Sequence, residues 1–161
     1  MEELAQTSSL RVGRCGPLVI FAWSDQPMRR DMDLVDRYLD ETVERYPAGL
    51  CTLALLRSVG ALVSPDADNR ERAKAQFRRY DPHTRANAVV IDIDGIAGRT
   101  VRVFMSAVLM MARARAPTTV CEDFDAGFDA ILNAPGQDRE LVDVREGLRR
   151  EARAWWGERP S

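Results

Sequence analysis

A chain of 161 residues, 45% apolar and 30% charged, is long enough to bury most of its apolar surface in one globular domain with a short appendage, which excludes an intrinsically disordered chain. A formal net charge of −2 argues against a protein built to coat nucleic acid or an anionic membrane. Cys15, Cys51 and Cys121 are odd in number and far apart, and His83 is the only histidine; this reads as reduced thiols, not as a disulfide framework or a zinc site. The start Met1-Glu2-Glu3-Leu4 has neither the basic nor the apolar segment of a signal peptide, and no apolar run reaches the roughly 20 residues of a membrane span, so a cytoplasmic location is expected.

Residues 1–9 carry no periodic pattern and are expected to form a flexible terminus. Leu10-Arg11-Val12 and Leu18 to Trp23, punctuated by Gly13, Gly16 and Pro17, predict a hairpin with its first arm exposed and its second buried. From Arg29 to Tyr46 apolar residues fall at Met32, Val35, Leu39, Val43 and Tyr46, the spacing of one helix face; Asp31 and Asp33 sit in its first turn, and Asp33/Arg37 and Glu41/Arg45 are acid-before-base pairs four apart. Leu50 to Leu56 is a continuous apolar run, the form of a strand covered on both faces in a parallel sheet. Ser64-Pro65 resembles a helix start, and the helix it would open, to about Tyr80, is mostly polar with a thin apolar line at Ala73, Phe77 and Tyr80.

Asn87 to Pro117 is the organising stretch. An apolar strand ends in Asp92-Ile93-Asp94-Gly95; after Gly98 comes a second run, Val101 to Ala112, in which only Arg102 and Ser106 are not apolar. They lie four apart, one narrow polar line on a helix expected to be covered on nearly every side, by the sheet and by a neighbour or second subunit. Thr118 to Cys121 predicts a last short strand and Phe124 to Leu132 a short helix. Residues 134–161 read as a linker, Ala134-Pro135-Gly136, and a separate amphipathic helix with Leu141, Val144, Leu148, Ala152 and Trp155 on one face and Trp156 beside it. That helix either folds back on residues 10–133 or carries a contact with another chain.

Three constellations bear on function. Asp92 and Asp94, at the carboxyl end of a parallel strand, are placed where open α/β sheets bind ligands; with Gly95, Gly98 and Arg99 they could take magnesium and a phosphate, or simply end a strand and turn into a helix. Arg70, Arg72, Lys74, Arg78, Arg79 and Arg85 make the second helix region basic, while Asp31, Asp33, Asp36, Asp40, Glu41 and Glu44 make the first acidic. Such opposite faces either steer self-association or a charged partner, or are solvated surfaces; nucleic-acid binding is disfavoured with so few aromatics nearby. No serine elbow, phosphate loop or metal-ligand helix appears, so no catalytic residue, metal or cofactor is assigned.

The run Asp92-Ile93-Asp94-Gly95 resembles the first motif of haloacid-dehalogenase-type phosphatases, in which the first aspartate is the nucleophile; Ile96 stands where that family has threonine. The order of elements from Leu10 to Leu132 resembles the STAS-like domains of sulphate transporters and anti-sigma-factor antagonists. That resemblance implies an α/β fold with a mostly parallel sheet of four to five strands, helices packed on it and the C-terminal amphipathic helix beyond. It also implies a non-enzymatic regulatory or scaffold role through a protein partner or self-assembly. Asp94 occupies the corner where the antagonists carry a phosphorylated serine. The surface expected to make the contact comprises Arg102, Ser106, Leu141, Val144, Leu148, Trp155 and Trp156.

Overall fold

The computed structural model describes residues 1–58, 67–112, 114–137 and 139–157. Ser64-Pro65 and the side chains of Arg70 and Ala73 lie outside the described residues. Six strands, β1 (Glu2–Gln6), β2 (Leu10–Cys15), β3 (Leu18–Trp23), β4 (Leu50–Leu56), β5 (Thr84–Ile91) and β6 (Thr118–Cys121), form one sheet in sequential order. β1, β2 and β3 pair antiparallel, and β3 to β6 pair parallel. Helices α1 (Arg29–Arg45), α2 (Ala67–Tyr80) and α3 (Gly95–Ala112) connect the parallel strands, a 3-10 turn at Asp81–His83 joins α2 to β5, and α4 (Phe124–Leu132), α5 (Arg139–Asp143) and α6 (Arg145–Gly157) follow β6.

Six strands stand where four to five were expected, because Glu2–Gln6 is a strand and not a flexible end. Glu2 and Glu3 bond Arg14 and Arg11 of β2 at 3.0 and 2.6 Å, giving a segment without apolar periodicity its own cross-strand pairs. The first hairpin arm is accordingly buried from Leu10 to Arg14 instead of exposed. The junction behind β1 is closed by Asp31, a fully buried carboxylate that accepts the Thr7 hydroxyl (2.8 Å), the Ser9 hydroxyl (2.6 Å) and the Met28 amide (2.9 Å). Three donors compensate its desolvation, and together they pin the β1–β2 turn to the start of α1.

Sequential strand order explains the layers. Parallel crossovers are almost always of one hand, so strands added side by side in the same direction place every crossover helix on the same face. Residues of α1, α2 and α3 indeed share one core cluster, around Val19, Phe21, Leu39, Tyr80 and Ile91. The opposite face is left to whatever follows β6. There Phe128 and Ile131 of α4 and Leu148, Ala152, Trp155 and Trp156 of α6 pack with Leu18, Ile20, Leu53, Leu55 and Val90. Gly127 lets α4 approach closely: a Cβ at this position would stand 2.3 Å from Val90 Cγ2.

The boundary expected after residue 133 is therefore not the edge of the core. Leu141, Leu148, Trp155 and Trp156 are at most 8% exposed, in the same cluster as the sheet. The expected single tail helix is two pieces, α5 and α6, and Val144 between them is half exposed. Cys51 and Cys121 are buried thiols outside any disulfide, and no helix among the described residues is long and apolar enough to cross a membrane.

Candidate contact surface at the strand-to-helix corner

The corner begins where β5 leaves the sheet. The Asp92 amide still bonds the Leu56 carbonyl at 2.9 Å, continuing the ladder by one bond, and the chain then turns directly into α3. Gly95 and Gly98, read from sequence as a loop, are the first residues of that helix. Gly95 takes a positive φ of 74° with open space around it, and the role of Gly98 is steric. A Cβ on Gly98 would lie 1.7 Å from the Ile93 carbonyl oxygen, so only glycine lets the helix start so close to the strand end.

Arg102 completes the corner. Its guanidinium donates to the Ile91 carbonyl at 3.0 Å and the Ile93 carbonyl at 3.3 Å, so it faces the departing strand, whereas Ser106, one turn on, is exposed. The two residues expected to form one polar line toward a partner thus do different things. Asp92, Asp94 and Arg99 are exposed at the mouth of the corner. Among the described residues no three His, Cys, Asp or Glu side chains converge on one point.

Along α3, Val101 and Met105 turn inward while Ile96 and Val103, seven apart, are 86% and 68% exposed. Thr100, Ser106 and Ala107 are exposed with them. Among its described side chains, Val101 and Met105 pack toward the sheet and Ile96 and Val103 stand outward, with two carboxylates at the amino end of the helix and Arg115, also exposed, beyond its carboxyl end.

The other expected contact residues, Val144 apart, are engaged within the chain. Trp155 lies under the Arg11 guanidinium at 4.6 Å, and its indole N–H donates to Glu3 at 2.8 Å. Trp156 lies under Arg57 at 3.5 Å. Arg149 and Arg153 pair with Asp125 and Asp129 of α4, and the Met1 ammonium pairs with Glu151. Leu141 and Leu148 are buried with them, which leaves Val142 and Val144 as the exposed apolar residues of this segment. The hydrogen bond from Arg11 holds the Glu3 carboxyl below its ordinary range, assisted by that from Trp155.

The acidic and basic helices also find each other. Arg72 of α2 bonds Asp36 at 2.9 Å and also Asp33; Arg79 bonds both Asp40 oxygens at 2.7 and 2.8 Å; Gln76 donates to Asp36 at 2.8 Å. Lys74 pairs with Glu71 at 2.7 Å, Arg85 donates to the Ala48 carbonyl at 2.9 Å, and Arg78 is exposed. Tyr80, buried and donating to Asp40 at 2.7 Å, has its phenol pushed far above the ordinary range, first by burial and then by that bond. Of the basic patch, Arg72 and Arg79 thus pair with acids of α1; Asp33 turns to Arg72 instead of Arg37, and Glu41 lies near Arg37 at 4.0 Å and Arg14 of β2 at 3.9 Å instead of Arg45.

Burial likewise pushes the Cys121 and Cys15 thiols up, away from the reactive thiolate. Comparison with protein-family profiles, with curated proteins and with solved structures finds no significant match to this chain.

Proposed function

We propose that this chain is a non-enzymatic STAS-like regulatory or scaffold domain that acts by self-association through the outer side of α3. The observation that carries the reading is the pair Ile96 and Val103, 86% and 68% exposed on one helix face, more than any other large apolar side chain among the described residues. The stripe is self-complementary. α3 has 18 residues, about 27 Å at the α-helical rise, with Asp92 and Asp94 at one end and Arg115 at the other. Two copies related by a two-fold axis, with their α3 helices antiparallel, bring the carboxylates of each against Arg115 of the other. Asp94 at this corner supplies a fixed negative charge where the antagonist domains use a phosphorylated serine, so the contact needs no phosphorylation.

Light scattering over a concentration series tests this on the full chain. The wild-type protein is expected to dimerise and Val103→Glu to remain monomeric with unchanged circular dichroism. Asp94→Arg weakens the dimer, and adding Arg115→Asp to it restores the dimer. A wild-type chain that stays monomeric at the highest attainable concentration refutes the reading.

A further inference from the structure

The two faces of β4 and β5 differ in chemistry. Toward α4 and α6 they present Cys51, Leu53, Leu55, Ala88 and Val90, all fully buried. Toward α2 they present Thr52, Ala54, Asn87 and Val89, all only half-buried although they lie in the middle of the sheet. α2 lies over this side with only a thin apolar line, and a recess of about 200 Å³ remains beneath it.

The recess has apolar walls and a polar floor. Phe21, Leu39 and Phe77 supply the walls, and Ala54 keeps the floor low. Beside Ala54 the Thr52 hydroxyl donates to Asn87 Oδ1 at 2.6 Å, and Asn87 Nδ2 donates to the Thr118 hydroxyl at 3.3 Å. That row fixes the direction of its own hydrogen bonds. With its proton given to Asn87, the Thr52 oxygen keeps acceptor capacity, and the Asn87 amide carries a second N–H. A hydroxyl entering the recess can donate to the first and accept from the second. Charge at the rim is already committed: Asp81 accepts the Arg115 and Ala116 amides at 3.0 and 3.3 Å, and the buried Tyr80 phenol donates to Asp40. Apolar cavities of roughly 150 Å³ hold benzene, so this recess has room for a ring and one substituent.

We propose that the recess between α2 and the β4–β5 face binds a small, neutral, monocyclic aromatic molecule bearing one hydroxyl group. The ring lies over Ala54 between Leu39 and Phe77, and the hydroxyl bonds the Thr52–Asn87 pair. The site lies beneath α2, apart from the outer stripe of α3, so it stands or falls independently of self-association.

The experiment titrates the full chain with phenol and, separately, with toluene, and follows the amide resonances of Thr52, Ala54 and Asn87 by NMR. Phenol is expected to shift them saturably and toluene more weakly. Ala54→Leu fills the floor and abolishes both responses. Thr52→Val keeps the shape and removes the hydroxyl partner; it is expected to weaken phenol about tenfold and to leave toluene unchanged. Because Thr52→Val is nearly isosteric, it decides the question even if Ala54→Leu does not fold. Shifts that do not saturate, or a Thr52→Val chain that binds phenol as the wild type does, overturn the assignment.

Discussion

The two faces of this sheet are built from alternate residues of the same strands, yet one is sealed and the other is not. On the α4–α6 side every central position is apolar and covered, by Phe128, Ile131 and two tryptophans that lie under Arg11 and Arg57. On the α1–α3 side, Thr52, Asn87 and Thr118 run across the floor as a hydrogen-bonded row, Arg72 and Arg79 tie α2 to α1 by ion pairs, and Ile96 and Val103 of α3 stand outward. The difference teaches where stability and where contact reside. The sealed face closes over its central strand residues, whereas the open face retains a recess and exposed apolar side chains.

The comparison breaks most completely if the cover of the sealed face is removed. A chain ending at Ala134 lacks α5 and α6 and uncovers Leu18, Ile20 and Ala22; it is expected to lose cooperative thermal unfolding and to bind an apolar dye strongly. Trp156→Ala on the same face leaves a cavity under Arg57 and should cost about 3–5 kcal/mol in denaturant titrations. Gly127→Ala tests how tightly α4 is seated. The added methyl group must displace Val90 and Leu53, at 2.3 and 3.1 Å, and about 1–3 kcal/mol of destabilisation is expected, whereas Thr52→Val on the open face should cost no more than about 1 kcal/mol.

The smallest effect is electrostatic and belongs to the edge of the sealed face. Glu3 has a depressed pKa in the folded chain, so the stability it contributes is present above its ordinary value of 4.5 and is lost as the pH falls through the lower folded value. Glu3→Gln should therefore flatten the acid limb of a stability-against-pH profile below pH 4.5 and leave Trp155 with a weaker partner.

Much of the scaffold was legible along the chain. The apolar run of β4, the three-and-four spacing of α1 and the turn residues around β6 and α4 state their own secondary structure, but a continuous apolar run hides that Thr52 and Ala54 face a different environment from Cys51, Leu53 and Leu55. β1 was hidden because its strand character comes from Arg11 and Arg14 across the ladder and from no pattern of its own. The corner was half legible: Asp92, Asp94 and Arg99 are surface residues as their type suggests, but nothing local says that Arg102 turns back to the Ile91 and Ile93 carbonyls. The polar row Thr52, Asn87, Thr118 was missed because its members are 35 and 31 residues apart and meet only through parallel register.

What the sequence alone determined is therefore the strands and helices with a pattern of their own, β3, β4, β5, α1 and α4 among them, since these follow from periods of two and 3.6 residues read over short windows. Tertiary structure decided which side meets which: that Arg72 and Arg79 of α2 pair with acids of α1, that the tryptophans close the sheet, and that Ile96 and Val103 of α3 stand outward. The reason is the common hand of the crossovers. With strands laid side by side in order, three helices must share one face, the C-terminal segment covers the other, and Ile96 and Val103 of α3 face away from the sheet.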